Sequence, residues 1–247
     1  TVSVIVSLLV IRKNKTGIAV SPAHFKLRRK TMAGLLKTGV PVALQDGFIQ
    51  IAFIVITVIA NKRGLNDAAA VGIVEKIIGI LFLVPSSMLQ TVSVLSAQNI
   101  GAGKKERARL TLRFAVIMAV VWGFFVCILM QFRAEFFIGL FTDHAQVAVS
   151  GAQYMRGYVW DTLLAGIHFC FSGYFCAHGL SAVSFFHNSV SIILARIPLS
   201  YFASGHYSDT LFPMGLAPTA GSALSVCICV VIYLFMERGR VRQGKSV

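Results

Sequence analysis

"SAQNIGAGKKERARLT", Ser96–Thr111, sets an apolar run against a burst of positive charge, with two glycines between them. A phosphate loop of the Walker type needs four residues between its glycines, then Lys and a hydroxyl residue. Gly101 and Gly103 are separated by Ala102 alone, and Glu106 would repel a phosphate. The stretch therefore predicts a helix stop and a short charged turn, with an apolar helix on either side.

Outward from that turn, the chain is too apolar for a domain in water. Hydrophobic residues make up 56% of its 247 positions and charged residues 13%, a balance that belongs in a bilayer. A net charge of +14 raises nucleic acid as a partner. Nucleic-acid recognition needs basic residues interleaved with aromatics on one accessible face. Here they sit in clumps between apolar runs, and no nucleic-acid partner is expected.

A membrane-spanning helix needs about 20 mostly apolar residues, and six such runs occur, at 36–60, 68–97, 110–132, 147–177, 182–203 and 214–236. They are continuous and too long for tilted barrel strands, so the fold class is all-α, a polytopic transmembrane helix bundle. Residues 1–12 resemble the last turns of a seventh helix, and the absence of an initiator Met suggests a piece of a longer protein. The expected organisation is a helix end at 1–12, a basic cytoplasmic linker at 13–31, a six-helix lobe at 32–236 and a basic cytoplasmic tail at 237–247.

Orientation follows from Lys and Arg near the span ends, because cytoplasmic loops hold the positive excess. Segment 12–30 holds seven basic residues, 104–113 five, and the tail after Met236 four. These three regions share one side if all six spans are real. The other side has Lys62, Arg63 and Arg133 beside Asp67, Glu135, Asp143 and Asp209, and the loop near 178–188 has no Lys or Arg. The C-terminus is therefore expected in the cytoplasm of a bacterial cell, with membrane lipid around the bundle.

Polar groups inside spans are costly unless they face protein or a water-filled cavity, so they mark candidate sites. Gly39, Ala43, Asp46 and Gln50 follow one face of the first span, while Glu75, Ser86, Gln90 and Ser93 form a stripe on the next, which Pro85 kinks. Tyr154, Tyr158, Asp161, Ala165, His168 and Ser172 lie along one side of the fourth. Asp46 and Asp161 are thus expected to face each other across the bundle. Lys76 is the structural partner suggested for Glu75, and Arg156 or Arg196 for Asp161. His168 could carry protons near its ordinary pKa. His178 and His187, near a cytoplasmic loop, receive no role. The five cysteines, Cys127, Cys170, Cys176, Cys227 and Cys229, all fall within spans as packing residues. Neither a metal site nor a catalytic constellation is indicated, and no enzyme activity is expected.

The run "VPSSMLQTVSVLSAQNIGAGKKERA", with "GVPVALQ" upstream and "ARIPLSYFAS" downstream, resembles the C-terminal half of a multidrug and toxic compound extrusion (MATE) transporter. The resemblance covers nearly the whole chain and makes the six spans helices seven to twelve of the family. It implies one lobe of a two-lobe, inverted V-shaped transporter, with the N-terminal six-helix lobe as missing partner. The implied function is secondary active efflux of small organic cations and drugs by antiport with Na+ or H+, without a cofactor beyond that coupling ion. A lipid-linked oligosaccharide or polysaccharide flippase of the same superfamily is the alternative, for which Arg156 and Arg196 are the fitting residues; an inert truncated product is a third. In one branch of the family the coupling cation binds carboxylates on helices seven and ten. Counting from Gly39 and Pro41, the seventh-helix acid falls near Gln50, with Asp46 one turn earlier. In another branch the key aspartate is on the first helix, ahead of this sequence. The ion-coupling candidates are Asp46, Gln50, Asp161 and His168; Gln45, Gln90, Tyr158 and Arg196 are expected to line the cavity.

Overall fold

The computed structural model describes residues 29–244, together with Val6 and Val10. The expected helix end at 1–12, apart from those two positions, most of the basic linker and residues 245–247 lie outside the described residues. Lys37–Val247 forms one compact unit; of the residues before it, the start of the first long helix is described.

The described elements are helices α1 (Arg29–Asn61), α2 (Leu65–Leu81), α3 (Leu83–Gly101), α4 (Lys105–Gly139), α5 (Ala145–Ala177) and α6 (Ser181–Ser191). A π-helical segment (Ile192–Arg196) then leads into α7 (Ile197–His206), and α8 (Phe212–Gly244) closes the chain. Five helical stretches are long and apolar enough to cross a membrane: Thr31–Asn61, Leu65–Gly101, Lys105–Gly139, Ser181–His206 and Phe212–Arg238. α5 is as long but more polar, and it is the hub, packing against α2, α3, α4, α6 and α8. The chain is a multi-pass helical membrane protein. Ile54, Val121, Phe132, Leu194 and Phe235 point outward, as a hydrocarbon solvent selects.

Ends and breaks follow from local chemistry. Gly103 takes φ +74° and Lys104 N–H bonds to Asn99 O, closing α3 before α4 starts at Lys105. The "GAGKKER" stretch is thus a helix stop and a charged turn, in which Arg109 also pairs with Glu106 and with Glu237 on α8. Gly179, at φ +73°, closes α5 in the same way.

Pro85 breaks its span at Phe82, a turn ahead of itself, because it cannot donate to Leu81 O and its ring crowds that carbonyl. Trp122 Nε1 of α4 donates to the freed Leu81 oxygen at 3.4 Å. Pro41 frees Lys37 O likewise, and Ser181 Oγ donates to it at 3.3 Å. The wide turn at Ile192–Arg196 lies just ahead of Pro198; Ile197 N–H there reaches back five residues to Ile192 O.

Close helix approach depends on glycine, most tightly at two crossings. A Cβ on Gly215 of α8 would lie 2.2 Å from Tyr154 O, and one on Gly173 of α5 would lie 2.3 Å from Leu89 O. Small residues let backbones meet where no water drives association. At the end opposite the charged turn, all five N–H groups of Arg63 find acceptors. They bond Asp67 Oδ2 at 2.8 Å, Ser204 O at 2.9 Å, Tyr207 O at 2.7 Å, Ser208 O at 2.8 Å and Thr210 O at 3.4 Å. Arg63 thereby ties the α1–α2 turn to the α7–α8 loop.

Candidate functional site

A cavity of about 400 Å³ lies between α1, the α2–α3 break, α5, α6 with its π turn, and α8. On its wall are Gln45, Asp46 and Gln50 of α1, Gln90 of α3, and Asp161 and His168 of α5. Arg196 enters from the π segment and Ser222 from α8.

The residues differ sharply in their surroundings. Asp46 and Gln50 are exposed and form the open side, and Asp46 makes no ion pair among the described residues. Asp161 is only 1% exposed and accepts a hydrogen bond from Arg196 Nη2 at Oδ2, 3.1 Å away. The same Nη2 donates to Tyr158 Oη at 2.7 Å. The Arg196 guanidinium also stands 5.3 Å from the Phe53 ring centre and 5.6 Å from that of Tyr158, distances at which a ring face attracts a cation. Tyr158 is therefore corrected as a lining residue: it is fully buried behind Arg196.

Removing either member of a buried pair strands the other charge, at about 3–5 kcal/mol. The pairing here is incomplete. Asp161 Oδ1, although Ser222 approaches the carboxylate, and Arg196 Nε make no hydrogen bond of good geometry among the described residues. His168 Nδ1 and Asn188 Nδ2 are likewise unpartnered. Unsatisfied buried atoms cost about 1–3 kcal/mol each, a cost that a ligand or water in the adjoining cavity would relieve.

The cytoplasm-predicted part of the site is neutral and rich in hydroxyls. Ser184 Oγ donates to Gln45 Oε1 at 2.8 Å, joining α6 to α1. Ser222 Oγ lies 3.4 Å from His168 Nε2. His187, given no role by its position, is fully buried and bridges two helices. Its Nε2 is 2.9 Å from Ser172 Oγ of α5, and its Nδ1 is 2.6 Å from Ser225 Oγ of α8. Its ring meets that of His168 edge-on at 5.7 Å. Its partners lie on two other helices, so no spacing within one helix signalled the bridge.

Two sequence pairings are corrected. Glu75 does not pair with Lys76, which is exposed; its Oε2 lies 3.2 Å from Thr57 Oγ1, because adjacent helix residues point about 100° apart. The break at Phe82 takes Glu75 off the stripe of Ser86 and Gln90, and only those two reach the cavity wall. Arg156 binds Glu135 at 3.1 Å and the Gln131 carbonyl at 3.3 Å, not Asp161. Asp46 and Asp161 share one cavity, but Arg196 already holds Asp161.

Comparison with known proteins adds the following. The MatE family profile matches residues 41–202. The chain is 21% identical over 213 residues to the probable multidrug resistance protein YoeA of Bacillus subtilis (strain 168), covering 86% of this chain and 46% of that protein. It is 23% identical over 211 residues to the probable multidrug resistance protein YpnP of the same organism, covering 85% and 46%. Among solved structures, a MATE in complex with MaL6 superposes with TM-score 0.82 at 17% identity, over 99% of this chain and 55% of that one. A mutant of the Vibrio cholerae MATE transporter VcmN gives TM-score 0.85 at 14% identity, over 96% and 53%. The chain thus spans about half the length of the relatives it matches.

Proposed function

We propose, from the premise that this chain belongs to the MatE family, that it forms one lobe of a two-lobe exporter of small organic cations, driven by inward movement of Na+ or H+. The observation that carries the proposal is the buried Asp161 carboxylate on the wall of the cavity, with an incomplete set of partners. Arg196 reaches Oδ2 alone, and a buried intramembrane carboxylate oxygen without a partner is costly unless it meets a further cation or takes up a proton. A cation that binds there more tightly in one conformation than the other shifts the balance between them, which is what antiport requires. Asp46 and Gln50 at the open side, with Gln45, Gln90 and His168, are the further residues proposed to receive the ion or the substrate.

The alternative of a flippase rested on Arg156 and Arg196 as free basic groups. Both are engaged by carboxylates, and so the cavity offers a poor surface for an anionic head group. A bacterial cell membrane with the C-terminus inside is part of the proposal, supported by the positive charge around 104–113.

The test uses the intact two-lobe transporter in proteoliposomes, with export of a fluorescent organic cation driven by a Na+ or proton gradient. Asp161→Asn should abolish gradient-driven export while leaving drug binding within about threefold, since the drug meets many walls of the cavity. Export at the normal rate with normal ion dependence would sink the assignment.

A further inference from the structure

We propose that Arg196 is a resident counter-ion: a tethered cation that occupies Asp161 while no coupling cation does, and that yields it by shifting toward Glu75. This rests on Asp161 as the ion-coupling carboxylate and adds the group that competes for it.

The pair is not built as a staple. A guanidinium paired with a carboxylate gains most strength and geometric definition from two parallel N–H bonds. Arg196 uses Nη2 alone, shared between Tyr158 Oη and Asp161 Oδ2, and leaves buried Nε unpartnered among the described residues.

A second carboxylate stands ready. Glu75 Oε2 lies 3.2 Å from Thr57 Oγ1, one turn along α1 from the Phe53 ring that Arg196 stands against, and its buried Oε1 has no partner among the described residues. The Phe53 and Tyr158 rings flank the guanidinium and give it a favourable surface as it moves between the two acids.

The backbone can supply the motion. Arg196 ends the π segment, where Ile197 N–H reaches Ile192 O, and such a wide turn can close to α register locally. On the facing helix, Gly221 leaves Arg196 room, since a Cβ there would lie 3.2 Å from Arg196 Cβ.

Charge balance names the ligand class. The titratable and charged groups around the site are Asp46 on α1, Glu75 on α2, Tyr154, Tyr158, Asp161 and His168 on α5, and His187 on α6; α8 contributes the hydroxyls of Ser222 and Ser225. Asp46 is exposed on the open side; of the two carboxylates with buried oxygens, Asp161 and Glu75, one guanidinium can neutralise only one, which leaves that pair a deficit of one positive charge. A monovalent cation on Asp161, with Arg196 moved to Glu75, fills it. A proton and Na+ both qualify.

The test measures radiolabelled Na+ binding and, separately, cation-linked proton release from the purified intact transporter. Arg196→Gln removes the competitor and should tighten cation binding about tenfold, whereas Glu75→Gln removes the alternative perch and should weaken it about tenfold. Opposite signs are the signature, and the arm in which they appear identifies Na+ or the proton as the ion. Arg196→Lys keeps a tethered cation and should bind near the wild-type level. If Arg196→Gln does not fold, a weakened Glu75→Gln beside a normal Arg196→Lys still supports the exchange. Changes of the same sign, or none in either arm, overturn it. Asp161→Asn separates the two proposals: retained cation binding there means that the ion site itself is wrong, while lost binding with unchanged Arg196→Gln and Glu75→Gln refutes only the counter-ion.

Discussion

Replacing Arg63 with Ala tests whether the end of the lobe opposite the charged turn is held by one side chain. Its five donors reach Asp67 and four backbone carbonyls, and the side chain is 7% exposed. A hydrogen bond to a charged group contributes about 1.5–3 kcal/mol net. Not all five count equally. Tyr207 and Ser208 are exposed, so water replaces the guanidinium at their carbonyls, and Thr210 at 3.4 Å is barely bonded. That leaves the bonds to Asp67 and Ser204, both part-buried, at about 3 kcal/mol together from the lower end of the range. Arg63→Lys keeps the charge near Asp67 but offers one nitrogen where a planar fork spans several acceptors, and should lose about 2 kcal/mol. Cys127, Cys170 and Cys229 are buried while Cys227 is exposed, so the gain in labelling by a thiol-reactive dye over its native level reports unfolding of the purified transporter in detergent. Hydrogen exchange should also quicken at the amides of Tyr207 and Leu211. If Arg63→Ala unfolds within about 0.5 kcal/mol of the parent, the level of an ordinary surface change, the clamp is not a clamp.

Gly215→Ala puts a Cβ against Tyr154 O and should destabilise by about 1–3 kcal/mol in the same dye assay; a neutral result would mean that the α5–α8 crossing is looser than described. His187→Phe strands the hydroxyls of Ser172 and Ser225 and should cost about 2–4 kcal/mol, less when combined with Ser225→Ala; additive losses would contradict the bridge. Asp46→Asn should reduce ion-driven export with little effect on stability, because the side chain is exposed and makes no ion pair among the described residues; unchanged export with normal ion dependence removes it from the coupling set. Changing Lys104 and Lys105 together to Gln should weaken the orientation bias slightly and leave drug affinity as it was. A large affinity loss with normal insertion would give that turn a role in binding.

The bundle was legible because bilayer thickness leaves little freedom: a run of apolar residues of sufficient length must be a helix. The turn after α3 was legible because glycine is the cheapest residue at the positive φ that Gly103 adopts. Position along a helix was harder to convert into facing. Glu75 and Gln90 share a stripe only on an unbroken helix, and Pro85 ends that continuity at Phe82. His187 was passed over because its distance from a predicted loop end was the wrong measure. What defines it are hydroxyls on α5 and α8, 15 and 38 residues away, which no single-helix periodicity can bring together. Arg63, counted only as a charge opposing the cytoplasmic side, acts through backbone carbonyls, and these carry no side-chain signature at all.

The prolines link these failures to the site. Pro41, Pro85, Pro198 and Pro218 all lie within helical spans, and each is near a residue of the cavity wall: Val42, Ser86, Arg196 and Ser222. In water a proline-distorted helix can hydrate its freed carbonyl. In hydrocarbon the donor must come from a neighbour, as Ser181 supplies for Lys37 O and Trp122 for Leu81 O. At Pro41 and Pro85 the distortion therefore has two consequences. It keeps the bent helix from packing flush, which leaves space, and it recruits a polar side chain from another helix, which tightens the surroundings of that space. A polar cavity in a bundle otherwise built for close contact follows from where these prolines fall, and the sequence alone could have located its walls even though it could not name the partners across them.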